Sequence, residues 1–157
     1  LFAQRIVVTR HTEVAEICAQ QQIPCLLHDK PYLSDTVRLG TAYIEQHLPQ
    51  AEGLLFAVGD QPLLQQTTFI RLAESFLSQP QKIHRLYYEE TPGNPIIFPA
   101  RFADELQQLP QDKGGSVLTK KYPELVVKVP VQDINELLDI DTQQDKTKLE
   151  RLRPYSE

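Results

Sequence analysis

Hydrophobic and polar positions predict strands and helices in turn along the first half of the chain. Short apolar or β-branched runs predict strands over residues 4–9, 23–27 and 54–58. Segments with an apolar residue at every third or fourth position predict amphipathic helices over residues 12–22, 36–48 and 67–78. Strands that alternate with helices in this way favour a parallel sheet with helices on its faces.

The second half of the chain is more mixed. Strands are predicted over residues 83–88, 95–99 and 125–131, with a turn at Thr91–Asn94, and helices over 101–109, 113–122 and 142–152. No repeat or linker interrupts the pattern. We therefore predict an α/β fold, a three-layer αβα sandwich with a Rossmann-like, mostly parallel sheet.

The apolar run Leu54–Val58 ends at Asp60, and Pro62 follows. Because the run has no polar alternation, it predicts a strand that is buried on both faces of the sheet. Ligands of open α/β sheets bind beyond the carboxyl ends of such strands. A carboxylate there suits a hard cation that carries phosphates. The alternative is an aspartate that simply begins a turn.

A second acidic motif lies near the C-terminus. Thr142 and Asp145 have the spacing of a helix capping box. Asp139 and Asp141 are two positions apart, so on an extended segment they point the same way. Two such carboxylates repel each other unless a cation or hydrogen-bond donors lie between them. The motif is either a capped helix with a solvated acidic turn, or a site where Asp141 joins Asp60 on a metal.

Two glycine-containing segments are weaker candidates for ligand binding. Asp112 is predicted to cap the helix after it and to leave the amides of Gly114 and Gly115 near a positive helix end, which attracts anions. Gly93 allows a close backbone approach, and Pro95 fixes the entry into the next strand. The alternative for the Asp112 segment is a plain capped turn, and the alternative for the Gly93 segment is a simple turn.

Charge and composition exclude several classes. The net charge of −5 argues against a general nucleic-acid binder, and we see no apolar run long enough to cross a bilayer and no signal peptide. Cys18 and Cys25 form no metal-binding pattern and are predicted to be reduced thiols of a cytoplasmic protein. The four histidines have no zinc spacing, and no hydrolase triad is indicated.

Taken in order, the motifs resemble those of the MobA-like nucleotidyltransferases, and most closely the molybdenum cofactor cytidylyltransferases. The resemblance covers six segments: Ile6–Thr9 is similar to the second strand, Ser34–Gly40 to the serine-containing segment, Gly59–Leu63 to the metal-binding motif, Gly93–Pro95 to Gly-His-Pro, Asp112–Gly114 to the Gly-Asp-Lys-Gly loop, and Asp139–Thr142 to the late acidic motif.

This resemblance implies a fold of the nucleotide-diphospho-sugar transferase type and a role for each motif. It implies that Asp60 and Asp141 are catalytic and bind Mg²⁺. The implied nucleotide contacts are Gln61, Ser34 and Arg38, and the implied contacts to the acceptor substrate are Gly93, Asn94 and Lys113.

The resemblance also implies a reaction. The Asp60-Gln61-Pro62 form is associated with family members that use CTP, which implies transfer of CMP from CTP to molybdopterin, the molybdenum cofactor, with release of pyrophosphate. A client molybdenum hydroxylase is a further implied partner, whereas nucleic acid and membrane are not. The alternatives are a non-catalytic cofactor-binding accessory protein and a transferase of the same fold that uses GTP or a sugar phosphate.

Three features depart from the family pattern. The family's N-terminal glycine-rich loop and its lysine, which bind the triphosphate, are not present. Because the chain begins at Leu1 and contains no methionine, we expect the N-terminal segment that would carry this loop to be missing from the sequence. From its length we expect residues 1–157 to form a single domain. Asn94 replaces the usual histidine, and Ser116 stands near an expected arginine.

Overall fold

The computed structural model describes residues 2–152 and has a mixed α/β fold, as predicted. The strands and helices are β1 (Val7–Thr9), α1 (Thr12–Gln20), β2 (Cys25–Leu27), α2 (Leu33–His47), β3 (Gly53–Phe56), α3 (Gln66–Ser78), β4 (Ile83–Tyr88), β5 (Thr91–Pro99), α4 (Ala103–Gln107), α5 (Ser116–Lys121), β6 (Val126–Pro130) and α6 (Gln143–Leu152). Short 3₁₀ helices occupy Ala100–Phe102, Pro123–Leu125 and Ile134–Leu137.

The strands form two sheets. In the first sheet β1 and β2 are parallel, with Val7 opposite Cys25 and Thr9 opposite Leu27. The second sheet has the strand order β3-β5-β4-β6. Its strands β4 and β5 are antiparallel and form a hairpin. The parallel arrangement predicted from the alternating pattern thus holds for β1 and β2, and the hairpin adds an antiparallel pair.

The hairpin turn lies earlier than predicted. Tyr88 pairs with Thr91, so the turn is at Glu89 and Glu90, and Glu89 takes a left-handed conformation with φ of 50°. The prediction of a turn at Thr91–Asn94 was wrong, since these residues belong to β5. Proline, glycine and asparagine are typical of turns, but here they lie in a strand whose register shifts opposite the stretch from Arg85 to Tyr87.

Strand β3 is shorter and less buried than its apolar sequence predicts. Leu54 is buried, but the strand ends at Phe56, and Val58 is 43% exposed. The prediction that Leu54–Val58 is buried on both faces was therefore wrong for the C-terminal part of the run.

The chain divides into two compact units. The first comprises Leu1–Leu54, Pro80–Ile83 and Phe98–Val126, and the second comprises Leu55–Gln79, His84–Ile97 and Val127–Glu157. In the first unit α2 packs against α4 and comes close to β1, because a Cβ atom on Gly40 would lie 3.2 Å from Cγ2 of Val8.

The second unit has its own hydrophobic core. Its buried members come from α3, β4, β5, β6 and the residue after β6, and they are Leu72, Phe76, Leu86, Ile97, Val129 and Val131. Leu137 packs against this core from the 3₁₀ helix that precedes the late acidic motif. Hydrophobic packing therefore reaches to within two residues of Asp139.

No helix within residues 2–152 combines the length and the apolar character that crossing a membrane requires.

Candidate functional site

Asp60 lies in the loop after β3, in the second unit. Its Oδ1 atom is buried and accepts no hydrogen bond from the protein atoms described. Burial raises the pKa of the Asp60 carboxyl above its ordinary value, and the negative charges of Asp139 and Asp141 raise this pKa further. The fold thus brings the two acidic motifs together, as the sequence predicted.

Two hydrogen bonds join the acidic motifs. The backbone N–H of Ile140 donates to the carbonyl oxygen of Asp60 at 2.9 Å. The side-chain amide of Gln61 donates from Nε2 to Oδ1 of Asp139 at 2.8 Å. One bond uses only backbone atoms and the other only side chains, so residues 60–61 and 139–140 are held in a fixed pairing.

The arrangement of acceptors fits a divalent cation. A buried carboxylate oxygen without a donor is costly, and neighbouring carboxylates increase that cost because like charges repel. A cation bound by Asp60 and Asp141 would offset both effects. Within residues 2–152 no group of three or more histidine, cysteine, aspartate or glutamate side chains is placed to hold a metal ion.

A buried glutamate fixes the start of the late acidic segment. Glu136 is 3% exposed. Its Oε2 atom accepts hydrogen bonds from the hydroxyl of Thr68 at 2.5 Å and from the backbone N–H of Gln65 at 3.3 Å. The positive N-terminal end of α3 is a favourable place for a carboxylate. Arg71 also donates to the Thr68 hydroxyl, at 3.0 Å, so the buried Thr68 side chain both donates and accepts a hydrogen bond.

Gly93 lies against Leu137, the residue that follows Glu136. A Cβ atom on Gly93 would lie 2.5 Å from Cδ2 and 2.7 Å from Cδ1 of Leu137, which is closer than real contacts allow. The carbonyl of Gly93 accepts a hydrogen bond from Nε of Arg85 at 2.9 Å. The close approach predicted at Gly93 therefore exists, but in this structure it is made by the protein's own Leu137.

Asn94 and Pro95 follow Gly93 in β5 and are joined by a cis peptide bond. Asn94 is half-buried and Pro95 is buried. The acceptor contact predicted for Asn94 stays a prediction.

The capping box predicted at the start of α6 is confirmed. The backbone N–H of Thr142 donates to Oδ2 of Asp145 at 2.9 Å, and the N–H of Asp145 donates back to the Thr142 hydroxyl at 3.2 Å. The bonds to Thr142 hold the pKa of Asp145 below its ordinary value. A capped helix therefore begins directly after Asp141, so the capping account and the metal account of this motif do not exclude each other.

The other predicted site residues belong to the first unit. Ser34 is buried in α2, and Lys113 is exposed in a turn. The guanidinium of Arg38 donates to Oδ1 of Asp35 at 2.7 Å and to the carbonyl of Gln107 at 2.8 Å. Arg38 thus stabilises α2 and its junction with α4, and the substrate contacts predicted for these three residues stay predictions.

The prediction that Asp112 caps the following helix was wrong. Helix α5 begins only at Ser116 and has Gly115 as its N-cap, while Asp112 takes a left-handed conformation with φ of 57°. Packing explains both glycines: a Cβ atom would lie 2.8 Å from the ring of Phe98 at Gly115 and 3.0 Å from Leu33 at Gly114. Both glycines of this loop therefore lie in close contact with side chains of the first unit.

A cavity that the sequence did not predict opens at the carboxyl ends of β1 and β2. Its volume is about 670 Å³, and its lining is Arg10, His11, Thr12, Leu27, His28 and Asp29. Nδ1 of His28 is buried without a hydrogen-bond partner among the atoms described, while its Nε2 lies 3.1 Å from the Thr36 hydroxyl. This is the place where parallel strands of α/β proteins bind ligands.

Both cysteines are free thiols, as predicted. They lie close together in the first unit, where burial and the neighbouring Cys18 raise the pKa of the Cys25 thiol.

Sequence analysis missed Glu136 and Leu137. A signal for Glu136 was present, since a single acidic residue stands among the apolar residues Ile134, Leu137 and Leu138. An isolated charge on an apolar segment is rarely buried without a partner, and its partner here comes from α3, which no local pattern indicates.

Comparison with known proteins gives the family and the fold. Residues 1–126 match the family model of the MobA-like NTP transferase domain. No curated protein is similar enough in sequence to match. The structure of Rv0371c from Mycobacterium tuberculosis H37Rv is similar, with a TM-score of 0.79, 24% identity, and coverage of 95% of this chain and 76% of that one. A manganese complex of Rv0371c gives a TM-score of 0.70 at 21% identity, covering 95% of this chain and 78% of that one.

Two further solved structures are similar at lower identity. A nucleotidyl transferase from Methanothermobacter has a TM-score of 0.76 and 20% identity, covering 96% of this chain and 73% of its own. Molybdopterin-guanine dinucleotide biosynthesis protein A from Archaeoglobus fulgidus has a TM-score of 0.68 and 16% identity, covering 94% of this chain and 77% of its own. These likenesses confirm the predicted fold class.

The contact between Gly93 and Leu137 leads to a first prediction. Gly93→Ala places a methyl group inside the van der Waals radius of Leu137, so we expect a loss of about 1–3 kcal/mol in the free energy of unfolding, measured by urea denaturation. Gly59→Ala is the matched control, because a Cβ atom there meets nothing within 4 Å. Equal losses in both variants would contradict the proposed packing. The double variant Gly93→Ala/Leu137→Ala should lose less than the sum of its single variants.

The buried carboxylate leads to a second prediction. Glu136→Ala leaves the Thr68 hydroxyl and the Gln65 N–H without their acceptor, so we expect a loss of about 1–3 kcal/mol in the free energy of unfolding. Glu136→Gln keeps the size and one acceptor oxygen and should lose clearly less. If the two substitutions were equally destabilising in urea denaturation, the hydrogen bonds would not be the source of the stability.

Proposed function

The chain belongs to the MobA-like NTP transferase family, and on that premise we propose that it is a Mg²⁺-dependent cytidylyltransferase. It would transfer CMP from CTP to the terminal phosphate of a molybdopterin-type cofactor and release pyrophosphate. The observation that supports this most directly is that Asp60 lies near the negative charges of Asp139 and Asp141 and has a buried carboxylate oxygen that accepts no hydrogen bond from the protein atoms described.

Asp60 and Asp141 are the residues that would hold the cation. When bound, a divalent cation stabilises the negative charge that develops on the α-phosphate and on the departing pyrophosphate. Burial and the charges of Asp139 and Asp141 raise the pKa of Asp60, and a bound cation would favour its ionised form. The manganese complex of Rv0371c supports a divalent metal at a site of this fold.

The chemical step needs little from the protein apart from alignment. An oxygen of the acceptor's terminal phosphate attacks the α-phosphorus of the nucleotide, a new phosphoanhydride bond forms, and the bond to the β-phosphate breaks. A phosphate monoester has a second pKa of about 6, so the nucleophile is largely ionised at neutral pH and no general base is required. Rate enhancement then comes from positioning and charge neutralisation, which agrees with a site built from carboxylates and amides.

The assignment of substrates depends on the family resemblance. The Asp60-Gln61-Pro62 form supports CTP as the donor. The similarity to molybdopterin-guanine dinucleotide biosynthesis protein A supports a molybdopterin acceptor. A product of this kind is a cofactor, so the partner that receives it would be a molybdenum hydroxylase.

A substitution at Asp60 tests the catalytic centre. We expect Asp60→Ala to retain the fold and to lower kcat/KM for metal-dependent nucleotidyl transfer at least about 100-fold, because it removes a metal ligand and not merely a group that supports one. Asp104→Ala, at an exposed position of α4, is the matched control. Unchanged turnover in Asp60→Ala, with a circular dichroism spectrum like that of the wild type, would exclude the proposed role.

Pyrophosphate release tests the substrates. The protein is incubated with Mg²⁺, molybdenum cofactor and each nucleoside triphosphate in turn, and we expect release with CTP alone. Release with GTP would support the same mechanism but would show that GTP, and not CTP, is the nucleotide donor. Cofactor binding without release from any nucleotide would contradict the enzymatic proposal and favour an accessory protein that binds the pterin cofactor.

A further inference from the structure

A second cavity lies at the N-terminal end of α3, within the second unit. Its volume is about 320 Å³, and its lining is Gln65, Thr67, Arg71, Gln132, Asp133 and Glu136. Cavities of this size hold small organic ligands. Every lining side chain is polar or charged, so the cavity suits a ligand that makes hydrogen bonds with its walls.

Two opposite charges meet at one hydroxyl group beside this cavity. The hydroxyl of Thr68 donates to Oε2 of Glu136 at 2.5 Å and accepts from Nη2 of Arg71 at 3.0 Å. In the part of the chain that the structure describes, no ion pair joins Arg71 directly to Glu136. The Thr68 hydroxyl therefore holds an acceptor and a donor group side by side at the cavity wall.

Both charged groups keep hydrogen-bonding capacity. Oε2 of Glu136 is engaged by Thr68 and by the N–H of Gln65, whereas Oε1 accepts no hydrogen bond from the described residues and is not sealed from solvent. Since both oxygens of a carboxylate are acceptors, Oε1 is left for a ligand. The guanidinium of Arg71 has a single hydrogen bond within residues 2–152, although it carries several donors.

The charges at the wall select the kind of ligand. A phosphate would meet the carboxylates of Glu136 and Asp133, and a metal cation would meet the guanidinium of Arg71, so each is repelled by part of the lining. A neutral ring with adjacent donors and an acceptor fits both charges. Carboxylates accept hydrogen bonds from the amino groups of such rings. A pterin has this edge, because its pyrimidine ring presents an amino group, a ring N–H and a carbonyl oxygen side by side.

The cavity lies near the acidic motifs of the candidate site. The loop after β3 and the late acidic segment run side by side, with a hydrogen bond from Ile140 to the Asp60 carbonyl at one end and a hydrogen bond from Gln65 to Glu136 at the other. Glu136 and Ile140 are four positions apart, and four residues span at most about 14 Å. A single ligand can therefore have one end at Glu136 and the other near Asp60.

We propose that this cavity binds the pterin ring of the acceptor substrate. Oε1 of Glu136 accepts hydrogen bonds from the amino group and the ring N–H, and Arg71 donates to the carbonyl oxygen of the ring. The inference deepens the proposed function and rests on it, because the ring belongs to the molecule whose terminal phosphate reacts near Asp60.

The experiment measures binding without turnover. The protein is titrated with pterin and with lumazine, in which a carbonyl oxygen replaces the amino group, and binding is followed by the fluorescence of the rings. We expect the wild type to bind pterin at least ~10-fold more tightly than lumazine, because the extra carbonyl oxygen faces the Glu136 carboxylate. This comparison of two ligands does not depend on the folding of any variant.

A substitution tests the role of Glu136. Glu136→Gln should weaken pterin binding ~10-fold, since a neutral amide replaces a charged acceptor. Glu74→Gln, at an exposed position of α3, is the matched control and should bind pterin like the wild type. Thermal unfolding checks that both variants are folded.

Three results would overturn the inference. They are absence of pterin binding or equal affinity for pterin and lumazine in the wild type, wild-type pterin affinity in Glu136→Gln, and tighter binding of guanosine than of pterin, which would assign the cavity to a guanine base. The two proposals fail separately. Pyrophosphate release from CTP by a protein that does not distinguish pterin from lumazine contradicts only this inference. Pterin binding that depends on Glu136, without pyrophosphate release from any nucleotide, contradicts only nucleotidyl transfer.

Discussion

The packing of Leu137 against the bare backbone of Gly93 is the constraint on which the candidate site depends. A side chain of any other residue at position 93 would occupy the place of the Leu137 methyl groups, and Leu137 stands two residues before Asp139. The buried Glu136 secures the same segment from the side of α3. Hydrophobic contact and charge-assisted hydrogen bonds thus act on consecutive residues, and together they determine where the acidic segment runs.

This anchoring allows the site to hold carboxylates that repel one another. The raised pKa of Asp60 shows that its neighbours and its burial disfavour the ionised form. The segment does not move away, because Leu137 is packed against the core of the second unit and Ile140 is bonded to the Asp60 backbone. The stability of the fold therefore keeps Asp60 near the negative charges of Asp139 and Asp141. Sites that bind metal and phosphate commonly have this character, since perturbed groups cluster where function needs them.

The sequence predicted the order of elements well because that order depends on local patterns. Within residues 2–152 the local patterns located each α-helix and strand but not the 3₁₀ helix Ile134–Leu137. The abrupt end of an apolar run at Asp60 pointed to the loop that meets the late acidic segment. The failures arose where tertiary contacts decide. Thr91–Asn94 has the composition of a turn but lies in β5, and Asp112 is followed by a helix that begins only at Ser116. The partner of Gln61 is 78 positions away, and no local pattern contains such information.

That sequence separation has a consequence for how the site forms. Gln61 and Asp139 are 78 positions apart, and Thr68 and Glu136 are 68 apart. Bringing such distant segments together costs loop-closure entropy, and only the completed contacts offset that cost. The residues proposed to bind the cation consequently do not meet in a chain whose C-terminal segment is detached from α3 and β5. A ligand that binds only the folded state stabilises it by mass action, so binding of the proposed cation would raise the resistance of the second unit to unfolding.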